Sequence, residues 1–197
     1  MQTVRTAIIE RKTRETEVFV KLNLDGEGNS KILSGRGFFD HMLSAFAKQG
    51  LFDIEIKSSG DLDVDEHHTI EDIAITLGQA FRQALENKKG IQRYGFFEIP
   101  MDETLARVAV DLSGRGMLIF KAAFIRETVG GMPTEMVSHF FESFAKSCEC
   151  TLNVSVCGIN EHHKIEALFK AFARAMKMAC SIELRTSGKI PSTKGCL

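Results

Sequence analysis

The 197-residue sequence contains no tryptophan, a single tyrosine and three prolines, and no apolar run approaches the ~20 residues of a membrane-spanning helix. It also lacks a charge excess, because 25 Lys and Arg residues face 26 Asp and Glu residues. Non-specific nucleic-acid binding depends on a basic field, so this balance argues against it. The first residues include no apolar block typical of a secretory signal. We therefore expect a cytoplasmic globular protein that binds neither nucleic acid nor membrane.

Cysteine is absent from the first half of the chain and never forms a CxxC pair. The five cysteines are odd in number and all lie in the second half. Such a set predicts reduced, packed thiols in a cytosolic protein, rather than a disulfide framework or a thiolate metal site. They are Cys148, Cys150, Cys157, Cys180 and Cys196.

The most informative feature that is present is an internal duplication. Residues 67–71 read HHTIE and residues 162–166 read HHKIE, an offset of 95. Upstream, His41 opens HMLSAFAK and His139 opens HFFESFAK, an offset of 98. In each half an ET pair also precedes an alternating segment, which ends in LNLDG or VDLSG. This repeated order predicts two copies of one structural unit.

Each copy has the same predicted elements. Alternating apolar residues indicate strands with one buried face, and apolar residues at helical spacing indicate helices. The simplest packing is an α+β arrangement in which a helical layer covers a sheet, formed twice. No flexible linker separates the halves 1–93 and 94–197, so we expect one packed unit. The elements are strands 16–24, 52–57, 104–112 and 151–156, helices 38–48 and 137–147, and a long helix at each HH pair.

All six histidines of the chain lie in the repeated motifs. A glutamate three or four residues after a histidine shares its helix face, so His67 and Glu71 can bind one metal ion. The adjacent His68 lies about 100° further round the helix, which suits it to a different ion. The second copy repeats these spacings. For one HH pair alone, the plainer interpretation is a solvated helix start with Asp65 as its N-cap. Six histidines in matched positions do not fit that interpretation.

The duplicated motifs therefore predict two metal sites, each with about three histidines and one glutamate. Nitrogen and carboxylate ligands without thiolate suit Mn²⁺, Fe²⁺, Co²⁺ or Zn²⁺, and open coordination positions favour manganese. The candidate ligands are His41, His67, His68, Glu71, His139, His162, His163 and Glu166.

Seven motifs also carry a resemblance that covers the chain from about Arg11 to Gly195. In order they read RKTRET, FFDHML, DVDEHHTIED, QRYG, DLSGRG, GINEHHKIEALFKA and PSTKG. Together they are similar to imidazoleglycerol-phosphate dehydratase. The resemblance implies a duplicated βββαβα fold of the ribosomal protein S5 domain 2-like type, with a left-handed crossover. It also implies 24-mers with active sites at subunit boundaries and two Mn²⁺ per site, bound by the eight candidate ligands.

The implied reaction converts D-erythro-imidazole glycerol phosphate to imidazole acetol phosphate and water, in histidine biosynthesis. A metal ion on a ring nitrogen favours the imidazolate, which can expel the neighbouring hydroxyl. A carboxylate then removes the proton of the next carbon, and the enol becomes the ketone. The candidate bases are Glu166, Glu71 and Glu15.

The resemblance also assigns contacts to the substrate. Without it, the arginine of SGRG suits a turn and STKG suits a flexible tail. With it, the tail is expected to order over bound substrate, and arginine and lysine supply positive charge for the phosphate. The implied substrate contacts are Glu15, Arg93, Arg115, Ser192, Thr193 and Lys194.

Two other function classes fit parts of the pattern. A binuclear metallohydrolase acting on a phosphorylated small molecule also uses paired ions and carboxylates, although it usually has more aspartate ligands. A metal store or sensor would need no phosphate-binding arginines, and a DNA-reading sensor would need a basic face.

Overall fold

The computed structural model describes residues 5–186 and 188–197. Residues 1–4, at the start of the expected first half, and residue 187 lie outside these ranges. The first half contains four strands and two helices. They are β1 (Thr6–Lys12), β2 (Thr16–Asn23), β3 (Ser30–Leu33), α1 (Gly37–Gly50), β4 (Asp53–Gly60) and α2 (His67–Leu85).

The second half repeats this order and adds a small hairpin, β8–β9, before its first helix. The sequence did not predict that hairpin. The elements are β5 (Tyr94–Met101), β6 (Thr104–Asp111), β7 (Met117–Lys121), β8 (Thr128–Val129), β9 (Met132–Pro133), α3 (Glu135–Cys148), β10 (Thr151–Cys157), α4 (Glu161–Cys180) and a 3₁₀ turn at Leu184–Thr186.

Two similar mixed sheets of four strands form the outer layers, and the α+β prediction is confirmed. The strand orders are β1-β2-β4-β3 and β5-β6-β10-β7. In each sheet the last strand of the order runs parallel to its neighbour and the other pairs are antiparallel. The predicted alternation is present, since Val18, Val20 and Leu22 of β2 are all buried.

The helices pair across the two halves. Helix α2 packs on β1 and β2 and against α3, while α4 packs on β5 and β6 and against α1. Each helix contributes one phenylalanine to a closed ring of four aromatic contacts, with centroid distances of 4.9–5.9 Å. One continuous core therefore includes residues of both halves. The four phenylalanines are Phe46, Phe81, Phe144 and Phe172.

The cysteines are free thiols, as the sequence predicted, and none of the described residues forms a disulfide. Cys148, Cys150 and Cys180 are buried, whereas Cys157 and Cys196 are exposed. Burial raises the pKa of the Cys180 thiol, so this side chain stays protonated. Among the described residues, no helix combines the length and apolar character needed to cross a membrane.

A glycine makes the close approach of α2 and α3 possible. A Cβ atom at Gly78 would lie 2.9 Å from the backbone oxygen of Phe144 and 2.9 Å from the backbone nitrogen of Cys148. Both obstructing atoms belong to the backbone of α3, so neither can turn aside. Within an isolated helix, alanine would be favoured over glycine by about 1 kcal/mol.

We therefore expect Gly78→Ala to lower the free energy of unfolding by about 1–3 kcal/mol, in the range of an overpacked core. Thermal unfolding of the full-length chain is the measurement. The control is Gly37→Ala at the exposed start of α1, where the added Cβ meets no described atom within 4 Å. Equal stability of the two variants would contradict this account of helix packing.

Candidate functional site

The paired histidines lie in the first turns of α2 and α4. Asp65 accepts a hydrogen bond at 2.8 Å from the backbone N–H of His67, at the start of α2. In α4, the side chain of Asn160 accepts the backbone N–H groups of His162 and His163 at 2.9 and 3.4 Å. Asn160 is the N-cap of α4, whereas the N-cap of α2 is Glu66 and not Asp65, which the sequence suggested. Both helices thus begin where two imidazoles project.

One cluster of possible ligands joins α1 to α4. The Nε2 atoms of His41 and His162 lie 3.5 and 3.1 Å from Oε2 of Glu166. Glu166 is buried, and Lys170 donates to its other carboxylate oxygen at 2.6 Å. Burial acts to raise the pKa of Glu166, but the hydrogen bond and charge of Lys170 outweigh it. The net pKa lies below the ordinary value, so the carboxylate is ionised at neutral pH.

A second cluster joins α2 to α3. Nε2 of His139 lies 3.5 Å from Oε1 of Glu71, and the rings of His139 and His67 are 4.4 Å apart. Nε2 of His139 is buried and has no hydrogen-bond partner among the described residues. A buried nitrogen is rarely left without a partner, and a metal ion would supply one. The donor set therefore fits a divalent cation.

The two clusters have the same composition and the same relation to the duplication. Each combines a histidine from one half with a histidine–glutamate pair from the other, and its ligand atoms lie within 4.8 Å of one another. Two imidazoles and one carboxylate suit a divalent ion of the Mn²⁺ to Zn²⁺ group and leave positions open for further ligands.

The structure does not bring His68 or His163 into either cluster. Nδ1 of His68 lies 3.0 Å from Oδ2 of Asp61, and Nδ1 of His163 lies 2.9 Å from Oε2 of Glu103. The hydrogen bond with Asp61 raises the pKa of His68. The hydrogen bond with His163 lowers the pKa of Glu103 to about 2. The sequence predicted about four ligands per ion, and a single chain brings together three.

Glu15 differs from the other two candidate bases. It lies on the exposed turn between β1 and β2, and its side chain has no hydrogen bond within the described part of the chain. Its negative charge contributes to the raised pKa of His68, after the larger effect of Asp61. Glu15 is therefore close to the start of α2 and free to contact a ligand.

The two arginines predicted to bind the phosphate, Arg93 and Arg115, both lie close to Asp111. Arg93 donates to both carboxylate oxygens of Asp111, at 2.7 and 3.2 Å, and to the backbone oxygen of Pro191 at 2.9 Å. Nη2 of Arg115 lies 3.7 Å from Oδ2 of Asp111, and its side chain is 67% exposed. Asp111 thus orients Arg93, while Arg115 can still bind an anion in solvent.

The C-terminal segment lies beside these arginines. Thr193 and Lys194 are exposed, and Ser192 accepts the backbone N–H of Lys194 at 3.2 Å. A Cβ atom at Gly114 would lie 2.8 Å from the backbone carbon of Leu197. The segment that begins next to Arg93 therefore ends next to the SGRG turn.

Within one chain, the arginines are far from the α1–α4 cluster. The backbone N–H of Arg93 donates to Ala179 near the end of α4, whereas Glu166 lies near its beginning. Thirteen residues separate Glu166 from Ala179, which corresponds to about 20 Å along a helix. The β5–β6 hairpin shows the same separation. Arg93 lies at one end of it, and Glu103, which contacts His163 next to the cluster residue His162, lies at the other. A small phosphorylated molecule cannot span that separation.

Sequence reasoning did not identify Asp61, Glu103, Asp111 or Lys170 as part of the site. For Glu103 a signal existed, because the ET pair at Glu15 recurs there. Asp61 lies 7 residues from His68 and Asp111 lies 18 residues from Arg93, and neither contact follows from a local spacing. Lys170 follows Glu166 by four residues on one helix, so helical spacing could have indicated that ion pair.

Comparison with known proteins gives a consistent assignment. The family model of imidazoleglycerol-phosphate dehydratase matches residues 34–176. The imidazoleglycerol-phosphate dehydratase of Methanocella arvoryzae is 53% identical over 194 residues, covering 98% of this chain and 100% of that protein. The histidine biosynthesis bifunctional protein HisB of Spirosoma linguale is 55% identical over 193 residues, covering 98% of this chain and 50% of that protein. This chain thus spans about half the length of that relative.

A solved structure agrees with the sequence comparisons. The crystal structure of imidazoleglycerol-phosphate dehydratase from Staphylococcus aureus subsp. aureus N315 has a TM-score of 0.82 at 38% identity. The match covers 90% of this chain and 99% of that one. The resemblance noted in the sequence is confirmed, and the chain belongs to the imidazoleglycerol-phosphate dehydratase family, the hydro-lyases of histidine biosynthesis.

Proposed function

We propose that this chain converts D-erythro-imidazole glycerol phosphate to imidazole acetol phosphate and water, in the cytoplasm, with two Mn²⁺ ions per active site. The observation that carries the proposal is the pair of matched clusters, each with two imidazoles and one carboxylate. Membership of the family gives the reaction, and the clusters supply a donor set without thiolate that suits manganese.

The residues that would hold the ions are His41, His162 and Glu166 for one, and His67, Glu71 and His139 for the other. When bound, the ions supply Lewis acidity that favours the deprotonated imidazole ring of the substrate and acidifies coordinated hydroxyls. His68 and His163 are the remaining candidates, with partly exposed rings that a neighbouring chain can approach.

The chain's carboxylates would move the proton that is lost with water. That proton is on the carbon next to the one that loses its hydroxyl, and it becomes acidic after the hydroxyl has left. Glu166 is our first choice as base, because Lys170 keeps its buried carboxylate ionised. Glu71, in the equivalent position, and the exposed Glu15 are the alternatives.

We further propose that each active site is shared between subunits of a 24-mer. The separation of about 20 Å along α4 supports this, since Arg93 of one chain and the α1–α4 cluster of the same chain cannot bind one small substrate. Arg93, Arg115, Ser192, Thr193 and Lys194 would bind the phosphate at a cluster provided by another chain. The same arrangement would let His68 or His163 complete a neighbour's ligand set.

Metal removal tests the proposed function as a whole. After treatment with EDTA, we expect the purified chain to lose ketone formation and the large particle mass, and Mn²⁺ to restore both. The same reaction mixture should release no inorganic phosphate. Phosphate release without ketone would contradict the dehydratase and favour the metallohydrolase, and metal-independent ketone formation would exclude the manganese centre.

The two clusters make a quantitative prediction about metal content. His67→Ala and His162→Ala each remove a ligand from a different cluster, so each variant should bind about one Mn²⁺ per chain in place of two and lose turnover. Elemental analysis of the desalted protein measures the stoichiometry. Lys48→Ala, on the exposed face of α1, is the control and should keep both ions. Near-normal turnover in either histidine variant would contradict its assignment as a ligand.

The C-terminal segment makes a prediction about substrate binding. Deletion of residues 191–197 should raise the Michaelis constant by about tenfold or more, because a hydrogen bond to a charged group contributes about 1.5–3 kcal/mol. Lys194→Ala should give part of this effect. Lys189→Ala, an exposed lysine outside the PSTKG motif, should leave the Michaelis constant unchanged. An unchanged value after the deletion would exclude a role for the segment in binding.

A further inference from the structure

We propose that Asp61 and Glu103 are positioning residues, which hold the Nδ1 atoms of His68 and His163 so that each ring presents Nε2 to a metal ion. The inference rests on the proposed function, because it takes His68 and His163 to be ligands. It assigns a role to two carboxylates outside the α1–α4 and α2–α3 clusters; Glu103 forms a further group of possible ligands with Asp102 and His163.

The two contacts are alike in geometry. In each half, the second histidine of the HH pair uses Nδ1, and a carboxylate oxygen lies at 3.0 or 2.9 Å. An ionised carboxylate can only accept a hydrogen bond, so Nδ1 of His68 and of His163 carries the proton. In the neutral ring, Nε2 then has the free electron pair that a metal requires. A second partner that fixes ring orientation and tautomer is a regular feature of metal-binding histidines.

The carboxylates come from different positions in the two halves. Glu103 is the counterpart of Glu15 in the duplicated ET pair. Simple inheritance would therefore place Glu15 on His68, yet Asp61, which follows β4, occupies that place. The same contact made from two unrelated positions indicates a requirement of the histidine, not a remnant of the duplication.

The surroundings of Asp61 also support a role in holding His68. Its side chain makes no hydrogen bond except that with His68 among the described residues, and its Oδ1 atom is buried without a partner. An unpaired buried carboxylate oxygen opposes folding. The position of Asp61 is therefore explained by what it does for His68, and not by a contribution to packing.

The two glutamates of the duplicated ET pairs, Glu15 and Glu103, differ in their hydrogen bonds. Glu103 accepts hydrogen bonds from His163 and from the backbone N–H groups of Ile159 and Asn160. Within the described part of the chain the side chain of Glu15 has no such partners, and Asp61 takes the place beside Nδ1 of His68. The duplication thus leaves one glutamate committed to a histidine and its counterpart available for substrate.

The experiment measures Mn²⁺ affinity of the full-length chain by competition with a chelator. Asp61→Asn and Glu103→Gln should each weaken Mn²⁺ binding about 10- to 100-fold, the usual effect of losing a partner of a metal-binding histidine. Both should still bind two Mn²⁺ per chain at saturation. The melting temperature of the metal-free Asp61→Asn variant should not fall, which a merely structural role would not allow. That of Glu103→Gln should fall, because Glu103 also accepts the backbone N–H groups of Ile159 and Asn160. The separation of the two roles therefore rests on Asp61→Asn.

Two exposed carboxylates serve as matched controls. Asp63→Asn changes an aspartate in the same loop as Asp61, and Glu98→Gln changes a glutamate of β5 that pairs with Arg107 of β6. Both should keep normal affinity.

Three results would overturn the inference. Unchanged affinity in Asp61→Asn and Glu103→Gln, with lowered affinity in His68→Ala and His163→Ala, would remove the positioning role alone. Loss of one ion per chain that excess Mn²⁺ cannot restore would make the carboxylate a direct ligand. Two Mn²⁺ per chain in His67→Ala and His162→Ala would remove the metal clusters of the proposed function as well.

Discussion

The site depends on the packing of helices from one half of the chain against helices from the other. The ring of four phenylalanines links all four helices, and burial of each such side chain contributes about 1.5–3 kcal/mol. This packing sets α1 beside α4 and α3 beside α2. His41 therefore meets a histidine and a glutamate that are more than a hundred residues away in sequence. Neither half could form such a cluster by folding alone.

Charge is arranged locally in a chain whose net charge is close to zero. Lys170 keeps Glu166 ionised inside a cluster of imidazoles, and Asp111 holds the guanidinium of Arg93 at the other end of the same helix. The two centres are too far apart to serve one small molecule within one chain. The active site shared between subunits that we propose would bring an arginine of one chain to the cluster of another.

Much of the fold could be predicted from the sequence because local rules decide it. The alternation in 16–24 and the helical spacing in 137–147 correspond to β2 and α3 within two residues. Pairing of the clusters could not be predicted, since only the tertiary packing of α1 on α4 decides that His41 meets Glu166 and not Glu71. The partners of His68 and His163 were missed for a related reason: the contact is duplicated in the structure, but the carboxylate at Asp61 has no counterpart in the repeat.

The central claim is that two cations lie where the halves meet. Anomalous diffraction at the manganese absorption edge, from crystals of the Mn²⁺-loaded protein, tests it most directly. The account predicts two peaks per chain, one among His41, His162 and Glu166 and one among His67, Glu71 and His139. A manganese-loaded crystal with no anomalous peak at these side chains would contradict it.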